Sequence, residues 1–105
     1  MTDTRIVLTT ASSSADARKL ARALVERRLA ACVNIVPGIE SHYWWKDAVQ
    51  QDAEWLLVIK TTAEKWTAVR DAIRELHTYE LPECVVLEIG EGSEQYLDWI
   101  RQSVR

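Results

Sequence analysis

The sequence contains no phenylalanine, and only three glycines, two prolines and two cysteines among its 105 residues. With so few glycines there is no glycine-rich loop to cradle a phosphate. The two cysteines form no Cys-x-x-Cys pair and the two histidines no His-Glu-x-x-His run, which excludes the standard metal-binding spacings. Met1–Arg5 is polar and no long apolar run follows, so no export signal is legible. Both cysteines are therefore expected to stay reduced in the cytoplasm rather than to pair. No stretch approaches the ~20 apolar residues that a membrane span requires. The formal net charge of −3 argues against a protein that coats nucleic acid, which needs an excess of Lys and Arg. A Cys84–His77 nucleophilic pair can be drawn, but neither an orienting partner nor an oxyanion hole can be named for it. The expectation is that the chain is not an enzyme.

What is present is ordinary globular material: 48% of residues are hydrophobic and 28% charged, and five Trp and three Tyr supply the aromatic bulk. Such aromatics fill a core or an interface while each polar tip finds a partner. No linker, repeat or low-complexity tract divides the chain, so residues 1–105 are expected to form a single domain, and one of this size buries roughly two-thirds of its unfolded surface. The segment 16–31 concentrates Arg18, Lys19, Arg22, Arg27 and Arg28. It reads as a solvated outer helix face, with a basic docking surface as the alternative.

Ile6-Val7-Leu8, ending in Thr9 and Thr10, reads as a first strand. Ser13 and Asp16 stand at capping-box spacing. After them Ala17, Leu20, Ala21, Leu24 and Val25 form one helical stripe, expected to end near Leu29 to Ala31. Cys32–Val36 is a second strand, interrupted by Pro37-Gly38 and resuming from Ile39 to Trp45. Lys46–Asp52 is polar and reads as a turn, and Trp55–Ile59 as a third strand. Thr61 and Glu64 have capping-box spacing before a second helix bearing Trp66, Val69, Ile73 and Leu76, which should stop near His77, ahead of Pro82. Cys84–Leu87 is a fourth strand, and a short last helix from Ser93 carries Tyr96, Leu97, Ile100 and Val104. The order βαββαβ, followed by that short C-terminal helix, is the ferredoxin-like α+β plan.

That plan leaves a face uncovered. A strand with one wet face should alternate apolar and polar residues, yet the first, third and fourth strands are apolar on both. Two helices cover only one side of a sheet. The other side would be an apolar patch larger than monomers usually expose, so self-association is expected, with the long aromatic hairpin around Tyr43, Trp44, Trp45 and Trp55 reaching to a neighbour.

Ala31-Cys32-Val33-Asn34, Pro37-Gly38, Ser41-His42-Tyr43-Trp44-Trp45, Lys60-Thr61, His77-Thr78-Tyr79-Glu80-Leu81-Pro82-Glu83 and Tyr96-Leu97-Asp98-Trp99 occur in this order along nearly the whole chain. The ordered set resembles the CutA family of divalent-cation tolerance proteins. The resemblance implies a cytosolic homotrimer of ferredoxin-like subunits, with a long hairpin between the second and third strands, concerned with tolerance to copper and other divalent metals. The chain departs from the family pattern at Thr78 (usually Pro), Asp47 (usually Gly), Glu88 (usually Pro) and Cys84 (usually aliphatic). Thr9 stands where some members carry a Cys.

His77, Tyr79, Glu80 and Glu83 form the densest polar cluster. Imidazole suits copper or zinc and carboxylates can complete such a site, so His77 and Glu83 are read as metal ligands. The alternatives left open are His77 as a cap on the end of its helix and Glu83 as partner to a Lys or Arg. Tyr79 reads as a packing residue. Cys32 and Cys84 are further possible thiolate ligands, each also readable as a small core residue. Asn34, Tyr43, Trp45, Lys60, Tyr96 and Trp99 belong to the resemblance motifs, the aromatics as interface and core. Lys60 could pair with Glu83, cover apolar surface with its stem, or line an anionic pocket between subunits. His42 reads as exposed. No cofactor is required on this reading; copper or another divalent cation is the expected ligand. The competing reading is a regulatory trimer that binds a small anionic ligand in subunit clefts, like the similarly folded PII signalling proteins.

Overall fold

The computed structural model describes residues 2–105. Strand β1 spans Thr4–Ala11, helix α1 Ser14–Glu26, strand β2 Cys32–Trp45, strand β3 Ala48–Thr62, helix α2 Trp66–Leu76, strand β4 Val85–Glu88 and helix α3 Glu94–Ser103. The strands form one sheet in the order β2-β3-β1-β4, and every neighbouring pair is antiparallel.

One face of the sheet meets α1 and α2. Val7 and Ala11 of β1 and Leu57 and Ile59 of β3 are buried there, against Ala17, Leu20 and Leu24 of α1 and Val69, Ala72 and Ile73 of α2. The register places Val7 beside Ile59 and Thr9 beside Leu57, so these side chains share the helix side of the pleat. Thr9 is fully buried among them, and its hydroxyl has no hydrogen-bond partner. Val25, expected in the buried stripe of α1, is exposed at its margin.

Both ends of α1 follow from local chemistry. The Asp16 N–H donates to the Ser13 hydroxyl at 3.1 Å, the cap expected from their spacing. The helix stops at Glu26, earlier than expected. Arg28 adopts φ 60°, its N–H donates to the Val25 carbonyl at 3.1 Å, and the Leu29 N–H donates to the Leu24 carbonyl at 3.0 Å. This is a Schellman termination with Arg where glycine is usual, and without the glycine the sequence gives no stop signal. The Thr61–Glu64 box is likewise not formed. The Thr61 hydroxyl donates instead to the Leu29 carbonyl at 2.6 Å, satisfying a group that folding would otherwise leave without water. A 3₁₀ turn over Ala63–Lys65 leads into α2.

The hairpin is longer than the sequence pattern suggests. Strands β2 and β3 run for 14 and 15 residues, broken only by an irregularity in register between Val36 and Ile39, where Gly38 takes φ 73°. The turn is two residues, Lys46 and Asp47, with φ 51° and 63°, as in type I′ hairpins. The polar run after it belongs to β3. Strand β1 ends opposite Trp55, so residues 48–54 of β3 pair only with β2, and a ribbon solvated on both faces has no need of apolar alternation. Replacing Asp47 by Gly should raise stability by roughly 0.5–1 kcal/mol, because a left-handed residue costs roughly 1–2 kcal/mol and glycine's extra unfolded entropy returns part of that. A urea melt of the Asp47→Gly variant measures it.

The sheet face away from α1 and α2 carries a continuous apolar patch. Val36 lies beside Leu56, and Asn34 beside Val58, which in turn lies beside Leu8. Leu8 and Ile6 lie beside Val85 and Leu87 of β4. Ile6, Leu8, Leu56 and Val58 are half-buried, while Val36, Val85 and Leu87 are 40%, 47% and 48% exposed. Helix α3 buries Leu97 and Ile100 and touches this side at one end, where the Lys60 ammonium stands 5.8 Å from the Tyr96 ring centroid.

Candidate functional site

Helix α2 closes on His77, whose N–H donates to the Ile73 carbonyl at 2.9 Å while its own backbone turns extended. The chain then crosses toward β1 and the base of the hairpin. Nε2 of His77 lies 2.6 Å from the Thr10 carbonyl oxygen. A carbonyl only accepts, so Nε2 carries the proton. Nδ1 then accepts the Tyr79 N–H at 3.0 Å. Both ring nitrogens are thus engaged within the chain, and the His77 and Tyr79 rings lie 4.5 Å apart.

The Tyr79 hydroxyl donates to Oε2 of Glu54 at 2.5 Å. Glu54, at the base of the ribbon where β3 enters the sheet, is the first residue of β3 to be buried, at 8% exposure. Desolvation, then the bond to Glu54 and its charge, push the Tyr79 hydroxyl well above the usual 10.0.

Between the hairpin and the segment 77–83 lies an open groove of about 850 Å³. Glu40, Glu54, Glu80 and Glu83 line it, with Tyr43 and Trp45 from the hairpin. No Lys or Arg lines it, and its one basic side chain, His42, is bonded to Glu40 at 3.0 Å. That bond to His42, with the attraction of its charge, holds the Glu40 carboxyl below its usual range. The Tyr43 hydroxyl donates to Asp52 and is pushed up chiefly by that bond. Trp44 and Leu81, both 74% exposed, stand on the groove's outer lip.

The residues singled out in the sequence are distributed over the molecule. Glu83 and Glu80 face the groove. Tyr79 lines it, braced from behind by His77. Cys84 is half-buried against the helix-side core, and burial pushes its thiol up, countered in part by Arg70 and Arg74. Cys32 lies at the far end of the sheet, beside Lys60 in register, with its Sγ 3.8 Å from Oδ1 of Asn34. Lys60 does not meet Glu83; it lies against Tyr96, which packs on Trp99 with centroids 5.4 Å apart. Among the described residues no group of three or more His, Cys, Asp or Glu side chains is placed to hold one ion. Within one protomer, His77, Glu83, Cys84 and Cys32 therefore do not share a centre. Sequence reading missed Glu54 and Glu40. The one signal for Glu54 is its position as the carboxylate immediately before the apolar run Trp55–Ile59.

The molecule is thus an α+β protein with a four-stranded antiparallel sheet, three helices, a bare apolar sheet face and a carboxylate-lined groove. The sequence profile of the CutA1 divalent ion tolerance protein family matches residues 5–103, and the chain belongs to this family. It is 49% identical over 98 residues to the divalent-cation tolerance protein CutA of Thermus thermophilus, covering 93% of this chain and 95% of that protein. The crystal structure of CutA from Xylella fastidiosa superposes with a TM-score of 0.97 at 34% identity, over 99% of this chain and 100% of that one. A structure from Archaeoglobus fulgidus, described as a periplasmic divalent cation tolerance protein, gives a TM-score of 0.94 at 36% identity, over 97% of this chain and 99% of that one. The family is named for tolerance to divalent ions, not for a reaction.

Proposed function

We propose that this chain is a homotrimeric, cytoplasmic protein of divalent-metal tolerance, copper foremost, that takes the metal ion in the groove between the hairpin and residues 77–83. The observation that carries the reading is the groove's charge: four glutamates and no Lys or Arg on its walls. Carboxylate oxygens suit divalent cations, and copper heads the affinity order for most donor sets. Glu83, exposed and without a hydrogen-bonded partner among the described residues, is the ligand we assign. His77 holds the wall, and Cys84 packs beneath it. The strand order and the βαββαβ succession are those of the ferredoxin-like plan, and the bare apolar face supports assembly of that single domain into the trimer. The competing reading, a small anion held between subunits, has Lys60 in its favour, but Lys60 lies outside the groove.

Calorimetric titration of chelator-treated protein with copper(II) tests the site. The expected result is saturable binding that Glu83→Gln weakens by about tenfold, in the range seen when a group at a metal site is lost. Cys84→Ser should bind as the parent does. Undiminished binding by Glu83→Gln, or its loss in Cys84→Ser or Cys32→Ser, would move the ion to the thiols and overturn the assignment.

A further inference from the structure

The groove is much larger than an ion. A coordinated cation is held by ligands at about 2–2.6 Å, whereas this cleft of about 850 Å³ falls in the range of small-molecule sites, about 300–1,000 Å³. Its walls combine negative charge with aromatic faces. Glu40 is engaged by His42 and by the Gln51 amide, each at 3.0 Å. The other carboxylates of the groove have less to hold. Glu54 is the most telling. It is more than nine-tenths buried and lines the groove. Its Oε2 takes the Tyr79 hydroxyl, and its Oε1 has no hydrogen-bond partner among the described residues. Oε1 is not one of the chain's fully buried unpaired atoms, so it opens into the groove, where it is free to meet a cation. Across from it stand Tyr43 and Trp45, whose ring faces attract cations, and the neighbouring exposed Lys46 already lies 5.8 Å from the Trp45 ring centroid.

We propose that this groove is a receptor site for small organic cations of the alkylammonium class, with Glu54 and Glu83 as charge anchors and Tyr43, Trp45 and Tyr79 as walls. The inference deepens the cation-taking groove proposed above and rests on it for the location of the site. An alkylammonium group donates up to three hydrogen bonds, which suits Oε1 of Glu54, and its methylene chain packs on the aromatic walls. A ligand with two or three such groups, spaced along the chain, can reach Glu54 and the exposed Glu83 together. An anion would meet repulsion from the carboxylates of the cleft.

Titration of the full-length protein with spermidine, followed by calorimetry and by tryptophan fluorescence, tests this. The expected result is saturable binding accompanied by a fluorescence change, weakened about tenfold by Glu83→Gln and at least as much by Glu54→Gln, the loss expected when a charge-assisted hydrogen bond goes. Glu64→Gln, on the 3₁₀ turn ahead of α2, should bind as the parent does. Glu54 is buried, so the melting curve of Glu54→Gln is read first. If that variant does not fold, Glu83→Gln decides the question. Absence of saturation, equal binding by Glu83→Gln, or an equal loss in Glu64→Gln from general charge attraction would overturn the proposal. The parallel copper titration separates the two readings. Copper binding without spermidine binding removes this inference alone, and spermidine binding without copper binding removes the metal site while leaving the organic-cation site in place.

Discussion

Replacing Val58 by Asp should convert the proposed trimer into protomers of 12.0 kDa. Val58 lies near the middle of the apolar patch, with Leu8 of β1 on one side and Asn34 of β2 on the other. It is only half-covered in the isolated chain, and so are Ile6, Leu8 and Leu56 around it. Full burial of such a side chain from full exposure is worth roughly 1.5–3 kcal/mol, so each of these, already half-covered, gains about half of that, and the patch as a whole drives association. The one cation near a carboxylate placed in its centre is Lys60, two residues along the same face of β3, and it already lies against Tyr96. Burying an unpaired charge costs several kcal/mol, enough to cancel the gain from its neighbours. The folded protomer should survive, because Val58 contributes nothing to the core formed with α1 and α2. Light scattering coupled to size exclusion reads both states: the parent is expected at three times the protomer mass and Val58→Asp at one. Ala15→Asp, on the exposed side of α1, is the control and should remain assembled. A parent that runs as a monomer would remove the trimer from the proposed function.

How far the sequence reached depended on the distance between partners. The Ser13 cap, the stripe of α2 and the interruption at Pro37-Gly38 are all local, and all were legible. The end of α1 was not, because a Schellman termination is recognised by glycine and here Arg28 takes the left-handed position. The length of the hairpin was not legible either. Alternation reports a sheet with one wet face, and the ribbon at 48–53 has two. The uncovered face could be read from strands that fail to alternate, since that pattern is local even though its consequence is not. At the site, the segment 77–83 stood out as a cluster of polar residues near a helix end. What it touches did not. His77 finds Thr10 across 67 residues and Tyr79 finds Glu54 across 25, and no periodicity records such a meeting. This is why a histidine expected to offer a lone pair proves to have both nitrogens committed.

Removing the Tyr79 hydroxyl should destabilise the wall of the groove and alter the alkaline limb of the stability profile. In Tyr79→Phe the ring remains and packs on His77, but Oε2 of Glu54 loses its only hydrogen bond among the described residues. Leaving a buried acceptor without its donor costs about 1–3 kcal/mol, with charged groups toward the upper end. A urea melt at neutral pH measures that loss. The pH dependence is the sharper signature. The Tyr79 hydroxyl is held above its usual 10.0, first by desolvation and then by Glu54, so the folded protein binds this proton more tightly than the unfolded chain. The stabilisation is therefore complete below the unfolded value and is lost as pH rises past about 10, where the unfolded tyrosine ionises and the folded one does not. The parent should melt at falling temperatures through that window, and Tyr79→Phe should lose much of the slope. Tyr43 is also shifted upward through its bond to Asp52. It is exposed, however, and solvent screening leaves its part small, so Tyr43→Phe should retain the slope of the parent. Equal slopes in the parent and Tyr79→Phe would show that the Tyr79–Glu54 bond does not persist in solution.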